Sequence, residues 1–375
     1  MSARTDPDMA ALRDEFAAWL NSVLPQDYYD RYPTYRWDIG LRREYQRASF
    51  EAGWIQPTWP GEYGGRSLTA PQALEIRLEA AVRAAPKLPN IAGPNVAAPA
   101  IRAFGTPAQR HRLLVPALTG DEWWALGMSE PEAGSDFAGL RTRAVRVGDT
   151  YRLNGHKIWT TQAHLSRWCT LYARTNLEAP KHRGITCFIL DLQSPGVTIE
   201  PIRMASRSDE TFCEVFLDDV EVPAAMLLGE ENCGWQVAMT SLQHERQMIW
   251  VMNWVEIRRG LTSIASTAPT DHADLFRTVG CLLADADAIR ATGYRALQND
   301  EAGRASPEAH VLKLLGSSTL QHVWEVVAAA AGTAAACDED LEFERHDALA
   351  ATIYGGTSEI QRNIIGERLL GLPKG

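Results

Sequence analysis

The sequence predicts an α+β protein in three parts: an N-terminal helical domain, a small central β domain and a C-terminal helical bundle. Apolar residues recur at helical spacing in the first part of the chain, and short β-branched and aromatic segments follow from Trp123. Long Ala- and Leu-rich runs return after Gly229. At 375 residues the chain can bury the cores of two or three domains. The predicted domains are 1–122, 123–228 and 229–375.

The first domain is predicted to be helical throughout. Helical spacing of apolar residues is found in five segments: 9–23, 36–52, 71–84, 96–104 and 107–118. The stretch 53–65 is too rich in Pro and Gly to continue a helix, so it is predicted to be a connecting loop. Its glycine pair indicates a turn or a ligand contact.

The central domain is predicted to be a set of short strands. Segments rich in β-branched and aromatic residues lie between Gly, Pro, Asn and Asp, at 151–153, 167–174, 184–192, 197–202 and 211–222. Asn154-Gly155 is a hairpin signal, and the residues after it predict a further strand that carries Trp159 and Thr161. Helices are predicted again at 235–260, 272–299, 307–332 and 352–370.

Composition excludes several classes of protein. The formal net charge of −10 argues against non-specific nucleic-acid binding, which needs a basic surface. The six cysteines form no close pair, so we expect neither a metal site nor a disulfide framework. No apolar run reaches membrane-spanning length, and the first residues lack a leader pattern. We therefore expect a cytoplasmic protein without a membrane span.

One stretch of the central domain, residues 127–136, has the composition of a binding loop. Pro131 fixes its own backbone torsion, and Gly134 permits close backbone approach. The turn that contains Ser135 can aim N–H groups and a hydroxyl at phosphate oxygens. An ordinary surface turn would use the same residue types, so both interpretations remain open.

A charged residue interrupts the apolar stripe of the helix predicted at 235–260. Glu245 lies within that stripe and Arg246 follows it; the apolar members are Ala238, Leu242, Ile249 and Met252. A buried charge is costly, so such a residue is usually part of an ion pair or a functional group. If functional, a desolvated carboxylate has the raised basicity that proton abstraction requires. Spacing leaves both alternatives open.

Three segments in order resemble the acyl-CoA dehydrogenase family, which are flavoproteins that desaturate acyl thioesters between the α and β carbons. They are the loop 127–136, the segment NGHKIWTT at 154–161 and the segment YGGTSEIQR at 354–362. The resemblance extends from about Trp54 to the C-terminus. It implies an FAD cofactor bound with the thioester between the β domain and the C-terminal bundle, and a role in lipid metabolism, in fatty acid β-oxidation.

The resemblance also implies a catalytic base. Most members carry the catalytic glutamate directly after the tyrosine of the C-terminal motif, where this chain has Gly355 after Tyr354. A minority place it on the helix matched by 235–260, immediately before an arginine, as in Glu245-Arg246. Glu245 is therefore expected to abstract the α proton while the β hydride passes to flavin N5.

The remaining roles carry over by position in the motifs. Eight residues are expected to contact the flavin: Met128, Ser129, Gly134, Ser135, Trp159, Thr161, Thr357 and Glu359. Four are expected to contact the thioester: Ser135, Arg246, Tyr354 and Gly355. The Gly355 backbone N–H matches the donor that polarises the thioester carbonyl.

One departure from the family pattern concerns the other end of the flavin. Many members have an arginine and then a Phe-Gly pair that reach across a subunit interface, and nothing of that pattern is visible around 271–277. Other residues hold that end, or a different polypeptide does. We expect at least a dimer, as a homo- or hetero-oligomer up to a tetramer, with an acyl-CoA substrate and an electron-transfer flavoprotein or an equivalent acceptor.

Two alternatives stay open at this stage. The chain could be a catalytically silent subunit that completes the flavin site of a related partner. It could instead act on an acyl carrier protein thioester, as a dehydrogenase or an oxidase. Neither the length nor the branching of the acyl group can be deduced from these motifs.

Overall fold

The computed structural model of the chain describes residues 7–205, 211–267, 273–301 and 308–373, and within them it leaves undescribed the side chains of residues 7, 33–34, 242–248, 265–267 and 300–301. The chain divides into two compact units. The first comprises Met1–Thr69, Ala84–Met204 and Asp209–His244, and the second Ala70–Arg83, Ala205–Ser208 and Glu245–Gly375.

The elements follow the predicted order of helices, strands and helices, which confirms the fold class. The α-helices of the described residues are α1 (Pro7–Val23), α2 (Tyr32–Tyr35), α3 (Ile39–Glu51), α4 (Ala70–Val82), α5 (Ala98–Phe104), α6 (Pro107–Thr119), α7 (Gly234–Thr267), α8 (Ala273–Glu301), α9 (Glu308–Ala331), α10 (Glu339–Ala350) and α11 (Ser358–Ile364). The strands are β1 (Trp124–Gly127), β2 (Arg143–Val147), β3 (Thr150–Thr161), β4 (Trp168–Arg174), β5 (Ile185–Asp191), β6 (Val197–Pro201) and β7 (Phe212–Pro223). The domain bounds at 122/123 and 228/229 stay predictions.

Local capping explains where the N-terminal helices begin and end. The Asp38 carboxylate accepts a hydrogen bond from the Leu41 N–H at 3.0 Å and starts α3. Thr106 and Gln109 form a reciprocal capping box at the start of α6. Gly120 has φ of 78°, a left-handed conformation that ends α6 and turns the chain into β1.

The strands of the first unit form one sheet. The order along it is β1-β4-β2-β3-β7-β6. The remaining strand, β5, lies off this path and pairs with β4. β1 and β4 run parallel, whereas β3 is antiparallel to both β2 and β7. β1 and β2 are additions to the predicted strands. The long strand β3 lies between β2 and β7, and it carries the second motif.

The predicted hairpin at Asn154-Gly155 is wrong, because both residues lie inside β3. The hairpin turn precedes them at Gly148, where φ is 62°, and it joins β2 to β3. Gly155 has a packing role instead: a Cβ built there would lie 2.4 Å from Oγ1 of Thr142. Glycine is needed at this position for close approach of two segments, not for a turn.

The second unit is built on α4, the part of α7 from residue 245 onward, and α8 to α11, with a core that contains Trp250, Trp254 and Trp324. Gly293 of α8 lies directly under Trp250, since a Cβ built there would be 2.4 Å from the indole ring. The single helix predicted over 352–370 is wrong. Gly355 and Gly356 have φ of 63° and 96°, so the chain turns there before α11 begins.

Candidate functional site

Trp159 has an unusual backbone and an unusual exposure. Its φ of 59° lies in the left-handed region, which a bulky residue rarely adopts. The register of β3 against β7 shifts by one residue between Lys157 and Thr160, so Trp159 lies in a β-bulge. The residue is 56% exposed, and its ring meets that of Phe212 edge-on with the centroids 5.8 Å apart. A strained bulge that presents a large aromatic ring is typical of a ligand site.

The binding loop is attached to β3 at the same place. The backbone N–H of Ile158 donates to the carbonyl of Ser129 at 3.0 Å. Glu130 and Ala133 exchange two backbone hydrogen bonds, of 3.1 and 3.0 Å, that close the turn around Pro131. The loop and the bulged strand are therefore neighbours, as a shared site requires.

A buried ion pair lies behind these two segments. Lys157 Nζ donates to Oε1 of Glu130 at 2.8 Å and to the Met128 carbonyl at 3.2 Å. Lys157 is completely buried and Glu130 nearly so. The Glu130 carboxylate also accepts from the backbone N–H groups of Arg141, at 2.6 Å, and Thr142, at 2.9 Å. Two of these four hydrogen bonds thus fix the loop against β3, and the other two fix it to the segment before β2.

Burial and pairing act in opposite directions on this pair. Burial raises the pKa of Glu130, but the Lys157 ammonium and the hydrogen bonds more than offset it and hold the pKa below its ordinary value. Burial also lowers the pKa of Lys157, and the Glu130 carboxylate opposes that change. Each charge favours the ionised form of the other, so the pair acts as an ionic clamp between the loop and β3.

Three hydroxyls near the bulge are available to a ligand. Those of Ser129, Ser135 and Thr161 make no hydrogen bond within the described part of the chain. Ser129 and Thr161 are half-buried, and Ser135 is exposed. A Cβ built on Gly134 would meet no other atom of the chain within 4 Å. An exposed flat ring, free hydroxyls and open backbone fit a flavin with its phosphates.

The third motif lies in the second unit and forms a supported turn. The Gln361 side chain is fully buried, and its Nε2 donates to the carbonyls of Gly355 and Gly356, each at 3.4 Å. His310 Nδ1 is 2.8 Å from Oε1 of Gln361. Because that oxygen can only accept, His310 must carry its proton on Nδ1. Through these contacts His310 of α9 supports the side chain that holds the glycine turn in place.

The other residues of this motif are placed as follows. Tyr354 is partly exposed, with the Lys313 ammonium 5.6 Å from its ring centre. The Thr357 hydroxyl accepts from the Ile360 N–H at 3.3 Å and caps α11. Glu359 is exposed and lies 3.5 Å from Arg362. Thr357 therefore has a structural task beside the cofactor contact expected of it.

The expected base is on α7, but its contacts fall outside what the structure describes. Residues 245 and 246 lie within the helix Gly234–Thr267, and their side chains belong to the undescribed set. Of the segment 271–277, the structure describes residues from Ala273 onward, which begin α8. The roles of Glu245 and Arg246 accordingly stay proposals.

The buried groups that support the site, Lys157 and Gln361, were not predicted from the sequence. Lys157 lies on the same alternating face of β3 as the buried residues Tyr151 and Leu153. A lysine on the inward face of a strand is the signal that would have marked it. Gln361 has no comparable signal, since a glutamine in a short helix is ordinarily exposed.

The whole chain matches one family. Residues 6–121 match the acyl-CoA dehydrogenase N-terminal domain, residues 125–220 the middle domain and residues 232–370 the C-terminal domain. The chain belongs to the acyl-CoA dehydrogenase family. It is a flavin-dependent oxidoreductase with FAD as cofactor, and lipid metabolism fits its relatives. Among the described residues no helix is long and apolar enough to cross a membrane.

Named relatives and solved structures support the assignment over the full length. Acyl-CoA dehydrogenase IpdE1 of Mycobacterium tuberculosis is 35% identical, over 96% of this chain and 98% of that protein. The structure titled Tcur3481-Tcur3483 steroid ACAD superposes with a TM-score of 0.87 at 27% identity, and the match covers 100% of both chains. The ChsE4-ChsE5 complex from Mycobacterium tuberculosis superposes with a TM-score of 0.85 at 29% identity, again over 100% of both chains.

Proposed function

We propose that this protein catalyses the α,β-dehydrogenation of an acyl-CoA thioester with Glu245 as the base. One observation carries the proposal: the C-terminal motif has Gly355 where most of the family carry the base, and α7 has an acid before an arginine where the minority carry it. The φ of 63° at Gly355 is a conformation that favours glycine, because any side chain at this position would be strained.

The chemistry assigned to the chain is the removal of a proton and the stabilisation of charge. Glu245 takes the proton from the α carbon, and the electrons of that C–H bond form the new double bond to the β carbon. Negative charge develops on the thioester oxygen as the proton leaves, and the Gly355 N–H donates to that oxygen. When bound, FAD accepts the hydride that leaves the β carbon. Gln361 acts through the turn by holding both glycine carbonyls.

The first unit supplies the groups we assign to FAD. Trp159 would cover one side of the ring system, and the hydroxyls of Ser129 and Thr161 would donate to its polar edge. Met128, which precedes Ser129 in the loop, would lie against the same ring system. Gly134 and Ser135 would bind the phosphates with backbone N–H groups and a hydroxyl. Thr357 and Glu359 are assigned further flavin contacts because they match the C-terminal motif of the family.

We also propose that the acyl group is large. The basis is the solved structure that is titled a steroid ACAD and matches the full length of this chain. The name of the relative acyl-CoA dehydrogenase IpdE1 specifies no acyl group. A bulky thioester is therefore the first substrate to examine.

A panel of thioesters tests the reaction and the carrier together. The FAD-loaded protein is mixed without oxygen with CoA thioesters of a short straight chain, a branched chain and a steroid side chain, and with the matching acyl carrier protein thioesters. We expect at least one CoA thioester to bleach the flavin absorbance, most strongly the steroid one, and an α,β-unsaturated product by mass spectrometry. Bleaching by carrier-protein thioesters alone would assign the other carrier. An assembly with a partner chain whose flavin is bleached equally well when this chain carries Glu245→Gln would favour the silent subunit.

The missing Arg and Phe-Gly pattern leads to a prediction about assembly. We propose that a second polypeptide supplies the groups for the far end of FAD; the support is that a solved structure similar to this chain is a ChsE4-ChsE5 complex. FAD content should then be low in the chain expressed alone and should rise when it is co-expressed with a second member of the family. Light scattering with flavin quantification measures both quantities. A monomer with one FAD per chain would contradict this proposal.

A further inference from the structure

One polar side of α9 supports the chain segment between α10 and α11. His310, Lys313 and Gln321 lie on the same side of this helix, because their spacing follows its period. Nε2 of Gln321 donates to the hydroxyl of Thr352 at 3.1 Å. His310 contacts Gln361, whose side chain holds the glycine turn. The segment that contains the C-terminal motif is therefore held from α9.

Lys313 is the cation on this side of α9. The residue is only 2% exposed, and its Nζ donates to the Ala351 carbonyl at 2.6 Å. Ala351 is the C-cap of α10, where the last carbonyl groups carry the negative end of the helix dipole. The end of α10 therefore offsets part of the cost of burying the ammonium.

The same ammonium faces the ring of Tyr354. Its Nζ is 5.6 Å from the ring centre, within the range of a cation–π interaction. Tyr354 is 39% exposed, so part of the ring is accessible to a ligand. The next residue is Gly355, whose N–H we assign to the thioester oxygen. One side chain thus separates the buried charge from the group that receives the developing negative charge.

The charge of Lys313 also acts on a carboxylate of the C-terminal motif. The pKa of Glu359 lies below its ordinary value, first because hydrogen bonds from its own backbone N–H and from Thr357 favour the carboxylate. The positive charges of Arg362 and Lys313 lower this pKa further. Water screens the exposed Glu359, whereas a thioester oxygen in a closed site is screened less, so the same charge acts more strongly there.

We infer that Lys313 is a positioning residue whose buried charge stabilises the negative charge that develops on the thioester oxygen. Its bond to the Ala351 carbonyl fixes the chain before Tyr354, and its field adds to that of the Gly355 N–H. Because the ammonium is already in place before the α proton leaves, no group has to reorient during the reaction. This inference rests on the proposed function, because it concerns the same oxygen.

The test uses acetoacetyl-CoA, whose α carbon lies between two carbonyl groups and loses a proton without any transfer of hydride. Its enolate and its neutral form absorb light differently, so a pH titration of the complex with FAD-loaded protein gives the pKa of the bound ligand. The wild type should lower this pKa below its value in free solution. Lys313→Met keeps an unbranched stem and removes the charge, so the acidity of the bound ligand should fall by roughly 10- to 100-fold.

The neutral ligand provides a second measurement. Below the pKa of the bound ligand, acetoacetyl-CoA carries no negative charge on its thioester oxygen. Its dissociation constant in Lys313→Met should then stay within about threefold of the wild-type value, because the inferred stabilisation exists only for the charged form. Equal weakening of the neutral and the charged forms would contradict the inference and make Lys313 a support for ligand binding in general.

Gln321→Met is the matched control. It removes a hydrogen bond from the same side of α9 to the same segment, and it removes no charge. The pKa of the bound ligand should stay within about half a unit of the wild-type value. An equal rise of this pKa in both variants would mean that only support of the segment matters, and the inference would fall. It would fall also if the pKa were unchanged in Lys313→Met.

Lys313→Arg keeps the inference testable if Lys313→Met does not fold. Arginine retains the charge, so the pKa of the bound ligand should remain well below its value in free solution. A pKa in this variant equal to that of free acetoacetyl-CoA would overturn the inference. A wild type that lowers the pKa of the ligand and oxidises no saturated thioester would overturn only the proposed function.

Discussion

Glu245→Gln is expected to slow reduction of the flavin by acyl-CoA by roughly 100- to 10,000-fold, which is the range for losing a general base. Glutamine keeps the size and polarity of the side chain but cannot accept the α proton. FAD and the thioester should remain bound, because other residues are assigned to hold them. Stopped-flow measurement of flavin bleaching gives the rate, and the flavin spectrum after gel filtration gives the occupancy.

Glu256→Gln is the matched control for that experiment. Glu256 lies on the same helix and its carboxylate pairs with Arg259, 2.7 Å from Nε. This variant removes a carboxylate from α7 without touching the proposed base, so bleaching should stay at the wild-type rate. If Glu245→Gln also bleaches at that rate, Glu245 is part of an ion pair with Arg246 and the base lies elsewhere.

The backbone at Gly355 determines whether a glutamate placed there can replace Glu245 as the base. Gly355→Glu on the Glu245→Gln background would place a carboxylate after Tyr354, where most relatives have it. The φ of 63° at Gly355 makes any side chain there strained, by about 1 to 2 kcal/mol. The glycine carbonyl also accepts from Gln361, so the turn has little freedom to adjust. We expect weak rescue or none.

Lys157→Met is expected to destabilise the protein by about 3 to 5 kcal/mol, because it leaves the buried Glu130 carboxylate without its counter-ion. The change should also weaken FAD binding, since Lys157 anchors the Met128 carbonyl and neighbours the Trp159 bulge. Chemical denaturation gives the free energy of unfolding, and fluorescence titration of the apoprotein gives the affinity for FAD.

Two further variants identify the cause of that loss. Arg152→Met removes an exposed cation from the same strand, where it pairs with Glu221 at 2.9 Å, and should cost under about 1 kcal/mol. Lys157→Met/Glu130→Gln removes both charges and should be more stable than Lys157→Met alone. A double variant as unstable as the single one would mean that packing of the lysine stem, rather than the charge, is what Lys157 contributes.

The same pair predicts how stability depends on pH. The pKa of Glu130 lies below its ordinary value in the folded protein, so its ionised form stabilises the fold above the unfolded pKa. That stabilisation is lost as the pH falls through the folded pKa. In Lys157→Met the main cause of the lowering is gone and burial remains, so the acid-induced loss of stability should begin at a higher pH than in the wild type. Denaturation midpoints from pH 7 down to the acid limit would show the difference.

Local patterns were sufficient where the determinant is itself local. Helical spacing located the long helices, because an amphipathic stripe is a property of neighbouring residues. The three motifs identified the family, and the exchange of an acid between position 355 and position 245 is visible in the letters alone. The prediction of a hairpin at Asn154-Gly155 was wrong because this pair permits a turn but does not require one. Close packing of Gly155 against Thr142 keeps the pair inside β3.

The sequence by itself determined the three-part α+β fold, the family, the cofactor and the candidate base. Only the tertiary structure decided which distant groups support them: Lys157 with Glu130, Gln361 with the glycine turn, and Arg174 with the carbonyls of Leu140 and Lys181. These partners lie far apart in the chain or on different elements, and nothing in either local sequence specifies the other. A buried charge or amide is stable only when its partner is in place, so the pairing is a property of the folded chain.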